Sequence, residues 1–238
     1  MTSKRRGDFG TATNWQGGVA PVSGMDSVVL THLLEMNSEF TIAAGEQMTA
    51  RSGSLKLGKK GHLTVAKEGR LDFGKPKCYF SEGEAGHLTI EAGASARAYQ
   101  YWNDDRRYIN EWVADAEGVT TFEITDRFTL RGTNSILKVD LSHYDLSNGD
   151  TLILVDYDRL LLQKQAEGDQ GWSTVVLTPG WSAKLELAYD IDGNGDLGIA
   201  LTHITAKSGK YVGIPEPGTY ALIGGLLALT HVMLRRRR

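Results

Sequence analysis

The segments Phe40-Thr41-Ile42-Ala43-Ala44-Gly45, Leu63-Thr64-Val65-Ala66-Lys67-Glu68-Gly69 and Leu88-Thr89-Ile90-Glu91-Ala92-Gly93 repeat one pattern, with starts 23 and 25 residues apart. An apolar residue, a threonine and a β-branched residue are followed within a few positions by glycine. Between them lie two shorter alternating pieces, Ser54-Leu55-Lys56-Leu57 and Arg70-Leu71-Asp72-Phe73, closed by Gly58 and Gly74. Alternation of apolar and polar residues buries one side of a strand, and a fixed period of this length marks stacked supersecondary units. The pattern predicts an all-β protein, a right-handed parallel β-helix whose coils stack an inward apolar ladder.

Further strands follow at Val119–Thr125, Phe128–Leu130, Ile136–Leu141 and Thr151–Asp156. Helical periodicity is nearly absent from the body, with Leu160–Ala166 as its best candidate. From about Thr151 the period is lost. The strands Trp172–Leu177, Ala183–Tyr189 and Leu197–Ile204 are therefore read as an antiparallel C-terminal cap, which would shield the last coil from edge-to-edge pairing.

Composition agrees with a strand-and-turn protein. The 238 residues include 28 glycines, 5 prolines and 8% aromatic residues, without the strict three-residue glycine period of collagen. The net charge is −3, and setting aside Arg235–Arg238 leaves −7 on the rest of the chain. An acidic body gives no attraction for nucleic acid. One cysteine, Cys78, excludes an internal disulfide and CxxC chemistry, and reads as a buried small hydrophobe.

The two ends differ. The stretch Met1–Arg6 is charged, but no apolar core of a signal peptide stands behind it. By contrast, residues 217–234 carry no permanently charged side chain, Tyr220–Leu234 is mostly apolar, and apolar residues occupy every face of Ala221–Leu234 except at Thr230 and His231, with a buried soluble helix as the alternative to a membrane span. Eighteen helical residues would reach about 27 Å, near the roughly 30 Å of a bilayer core. This predicts one C-terminal transmembrane helix, with Arg235, Arg236, Arg237 and Arg238 as its membrane stop.

Pro215-Glu216-Pro217 precedes that segment, and the whole tail resembles the PEP-CTERM sorting domain of bacterial proteins. The resemblance covers about the last 25 residues and has its three parts in the family's order. It implies that Pro215, Glu216 and Pro217 are the sorting motif. It further implies an exported substrate of exosortase, a membrane protease/transpeptidase, that passes through the membrane to the cell surface or extracellular polysaccharide. Export needs a leader, so an extension upstream of Met1 is expected. Residues Asp8–Pro21 also resemble the opening cap, with Asn14-Trp15, Gly17-Gly18 and Pro21, of surface β-helical proteins with autotransporter-associated-type repeats.

Three clusters are candidates for chemistry. The run Tyr99–Trp112 gathers Tyr99, Tyr101, Trp102, Asp104, Asp105 and Trp112 and reads first as a solvated, packed loop protruding from a coil; sugar binding by its rings and carboxylates is the alternative, and catalysis a third. Neighbouring carboxylates on a strand face opposite ways, so Asp104 and Asp105 do not by themselves make an acid/base pair. Asp190, Asp192, Asn194 and Asp196, with Gly195 at the sixth position, match the first half of a calcium loop. Its twelfth position is Leu201 rather than glutamate, so a hairpin turn is preferred and calcium is the alternative; no other cofactor is expected. His62 and His87 each precede a repeated Leu-Thr and should stack on successive coils, a repeat position being the simpler explanation and a metal pair the weaker one.

The resulting map is a start region at 1–20, a solenoid at 21–150, an antiparallel cap at 151–206, a linker at 207–213 and a sorting and anchor segment at 214–238. The function expected is a non-enzymatic structural or adhesive role at the envelope or in the matrix. A polysaccharide-binding or polysaccharide-modifying β-helix is the alternative, and a truncated non-functional paralogue is a third.

Overall fold

A computed structural model describes residues 1–22, 27–83, 85–103, 108–131, 135–163, 172 and 174–206. The chain divides into two units, 1–205 and 206–238, and all of the second except Ala206 lies outside the described residues. The body is an all-β solenoid. A short strand β1 (Gly7–Asp8) precedes three sets: β2 (Val28–Leu30), β3 (Leu33–Met36) and β4 (Glu39–Ile42); β5 (Gln47–Ala50), β6 (Ser54–Leu57) and β7 (His62–Val65); β8 (Arg70–Phe73), β9 (Tyr79–Glu82) and β10 (His87–Glu91). In later sets the first two strands merge, giving β11 (Ser95–Asn103) with β12 (Ile109–Val113), β13 (Phe122–Arg131) with β14 (Ile136–Asp140), and β15 (Leu152–Gln163) with β16 (Thr174–Leu177). The solenoid makes about five turns.

Each strand pairs in parallel with its counterpart one coil away. The repeats that opened the sequence reading are β4, β7 and β10, in register with Phe40 on Leu63 on Leu88 and Ile42 on Val65 on Ile90. Those side chains are 5% exposed or less, so the alternation buries one continuous ladder. Burying each such side chain contributes about 1.5–3 kcal/mol. A second inward ladder runs Leu34, Leu55, Phe80, Tyr101 and Phe128.

Glycine closes the corners for a steric reason. A Cβ on Gly69 would collide with the carbonyl oxygens of Ile42 and Ala66, and one on Gly61 with that of Met36 on the coil below. Backbone there cannot yield without breaking the ladder. Gly69→Ala should therefore cost about 1–3 kcal/mol, read as a lower urea midpoint, the range found for overpacked sites.

Residues 1–20 fold across the first coil. Thr2 bridges Val29 in parallel and β1 pairs with β3. Trp15 is fully buried, donates its indole N–H to the Phe9 carbonyl at 2.7 Å, and packs edge-on against Phe9, which in turn meets Phe40.

The other end departs from expectation in two ways. Parallel pairing does not stop at Thr151: β15 pairs in parallel with β13, and β16 with β14. Antiparallel pairing at this end enters with β18 (Leu197–Ala206), which runs against Leu152–Asp156 of β15, with β17 (Trp181–Asp190) beyond it. Of Leu160–Ala166, the best helical candidate, residues 160–163 belong to β15, where register with β13 outweighs leucine content, and 164–166 lie outside the described residues. The only helical pieces among the described residues are 3-10 turns at Ala12–Asn14 and Leu146–Asn148. Among those residues no helix is long and apolar enough to cross a membrane, and the span expected at Tyr220–Leu234 lies outside them.

Candidate functional site: an open groove along the solenoid

Positions on the outer side of β3, β6, β9 and β11 form a column in which Glu35, Lys56, Ser81 and Trp102 are successive register partners, Ser81 being covered to 3% exposure by its neighbours. Two open clefts lie along it. One, of about 340 Å³, is lined by Arg6, Asp8, Leu33, Glu35 and Asn37. The other, of about 130 Å³, is lined by Leu33, Lys56, Tyr79, Ser81 and Trp102, together with Glu82. Leu33 borders both, so the two clefts adjoin on this face of the solenoid, and with the column between them they make up a groove.

At its far end Tyr79 and Trp102 lie against each other, centroids 4.2 Å apart and planes 30° from parallel. Both rings remain half-exposed. They offer an apolar shelf with polar edges, beside the Lys56 ammonium and the Ser81 hydroxyl. Asp8 is less free than its exposure suggests, because its carboxylate accepts from the Gly10 amide at 2.8 Å and from Asn37 at 3.3 Å. Beside the shelf, Asp126 accepts from the Gln100 amide and from Arg159, which together hold its carboxyl below the ordinary range.

The groove keeps one member of the aromatic run and loses two. Trp102 faces outward, whereas Tyr101 and Trp112 are 0% and 1% exposed and belong to the core, which corrects their reading as sugar contacts. A register shift between Ala98 and Gln100, in a segment where Ala96 and Ala98 point inward, turns Tyr101 and Asn103 inward and Trp102 out. Tyr99, half-buried, sits at this irregularity, and Asp104 and Asp105 lie outside the described residues. The sorting residues Pro215, Glu216 and Pro217 and the stop residues Arg235, Arg236, Arg237 and Arg238 lie outside them too.

Asp190–Asp196 forms the hairpin between β17 and β18. Asp190 Oδ1 accepts from the amides of Gly193 at 2.8 Å and Gly195 at 3.2 Å, and Asp192 Oδ1 from those of Asn194 at 2.8 Å and Asp196 at 3.4 Å. These bonds hold the Asp192 carboxyl below its ordinary range and fix the turn. Gly193 and Gly195 supply its positive φ angles of 75° and 99°. Among the described residues no three His, Cys, Asp or Glu side chains are grouped to hold a metal ion.

Beneath the groove the core contains a polar cluster that the sequence did not announce. Glu82 is 1% exposed, and its Oε1 accepts from Asn110 Nδ2 at 3.0 Å. The same nitrogen donates to the Tyr101 hydroxyl at 2.8 Å, while Asn110 Oδ1 accepts from the Trp172 indole at 3.0 Å. Glu82 Oε2 has no hydrogen-bond partner among the described residues. Burial pushes the Glu82 carboxyl well above the ordinary carboxylate range and outweighs the opposing bonds from Tyr101 and Asn110. The available sign was a polar residue interrupting an inward ladder: Asn110 stands between Leu88 and Leu137, and Glu82 follows Leu57.

No protein family, curated protein or solved structure matches the chain.

Proposed function

We propose that the protein is an exported structural or adhesive β-solenoid of the cell envelope or matrix, and that its groove holds extended polysaccharide without turning it over. The half-exposed Tyr79–Trp102 shelf, at the end of a groove flanked by Lys56 and Ser81, carries this reading. Sugar rings stack their C–H faces on such shelves while hydroxyls bond to the polar edges. Coils lie about 4.8 Å apart, close to the length of one sugar ring, so a chain laid along the axis would meet one residue of the column per coil, Glu35, Lys56, Ser81 and Trp102 in turn. Glu82, the acid with raised proton affinity nearest the shelf, turns its carboxyl into the core, which favours binding over hydrolysis.

In this reading the solenoid coils right-handedly, residues 214–238 form the PEP-CTERM tail with its membrane helix, and an exosortase-type enzyme is the sorting partner. The tail's resemblance supports that part.

Titration of polysaccharides against the purified body by affinity electrophoresis is the test. Trp102→Ala should weaken retention about tenfold, equivalent to about 1.4 kcal/mol, and Tyr79→Ala nearly as much. Unchanged retention in both variants would remove the groove from the account, and release of reducing ends would replace binding by catalysis.

A further inference from the structure

The six-stranded side of the solenoid carries a second cluster, away from the groove. His62 on β7 and His87 on β10 are in-register partners whose rings stack at 3.9 Å with planes 2° apart. His62 Nε2 lies 2.9 Å from Thr89 Oγ1 and 3.5 Å from Thr64 Oγ1. His87 Nε2 lies 2.7 Å from Glu111 Oε2 and 3.3 Å from Thr89 Oγ1. Both imidazoles are half-buried.

We propose that the His62–His87 stack is an acid-sensitive latch between β7 and β10: uncharged rings hold the two strands in register, and protonation of both loosens that pairing. Face-to-face stacking suits neutral imidazoles and opposes two cations, which at such a distance repel even in water. Glu111 can hold one proton on His87. Among the described residues His62 meets the Thr89 and Thr64 hydroxyls rather than a carboxylate, and Glu39 on β4, its register partner, is exposed. From β14, Lys138 adds positive charge that opposes protonation of His87.

Burial and the neighbouring His62 outweigh Glu111 and lower the proton affinity of His87 in the folded state. The unfolded chain then binds the proton more readily, so the contribution of His87 to stability is present above its ordinary 6.5 and is lost as pH falls through that range. The latch is closed at neutral pH and opens on mild acidification.

Imidazole resonances followed by NMR between pH 8 and pH 4 test this, together with amide exchange at residues 62–65 and 87–91 corrected for intrinsic rates. The two rings should titrate in steps about one pH unit or more apart. Exchange at those amides should rise about tenfold across the second step, while residues 54–57 on the other side change little. His62→Gln, which keeps a polar partner for Thr89 but removes the second charge, should leave His87 with a single step and abolish the acid-induced exchange. Independent titration of the two histidines, or acid-induced exchange that persists in His62→Gln, would overturn the latch; if that variant does not fold, the wild-type titration decides alone.

Discussion

Asn110→Ala should lower the stability of the protein by about 3–4 kcal/mol, the range expected when several buried polar groups lose their partner at once. The residue donates to Glu82 and Tyr101 and accepts from Trp172, and it is 1% exposed. Asn110→Leu refills the volume and matches the Leu88 and Leu137 that flank it in the ladder. It should therefore recover the packing loss and leave the hydrogen-bond loss. Urea unfolding of the two variants separates these contributions; a leucine variant as stable as the wild type would mean that the polar cluster adds nothing to stability.

Glu82→Gln should have the opposite sign, with a dependence on pH. In the fold, burial raises the carboxyl's proton affinity well above its ordinary 4.5, so the folded state keeps its proton where the unfolded chain has released it. A raised acid contributes its full stability below the unfolded value and loses it as pH climbs toward the folded one. The slope is about 1.4 kcal/mol per pH unit for one proton. Glutamine has nearly the same shape, can still accept from Asn110 and does not ionise. The variant should match the wild type at pH 4 and become progressively more stable than it toward pH 7. A stability difference that stays constant over this range would show that Glu82 titrates normally in the fold.

The coils were legible because they are repetitive. Ser54–Leu57 and Arg70–Phe73, read from alternation and a closing glycine, are β6 and β8 to the residue. The predicted stacking of His62 on His87 followed from the same period and is present. What escaped the reading was what the period does not encode. The irregularity at Tyr99 reverses which side chains point inward, so simple alternation from Ala98 misplaces Tyr101 and Trp102. The groove joins Leu33, Lys56, Tyr79 and Trp102, which lie more than twenty residues apart along the chain and touch only once the coils stack. The persistence of parallel pairing into β16 was hidden because longer connections between later coils stretch the repeat past recognition.

A stack of coils in which each meets only its neighbours behaves as a zipper and would fray from its last tooth inward. Trp172 alters that. It lies just before β16, yet its indole reaches past β14 to Asn110 on β12 and packs against Phe128 on β13. A bond that skips a neighbour ties the terminal coil to the interior of the stack. The C-terminal coils should then open as one block rather than singly, with Trp172 as its rivet.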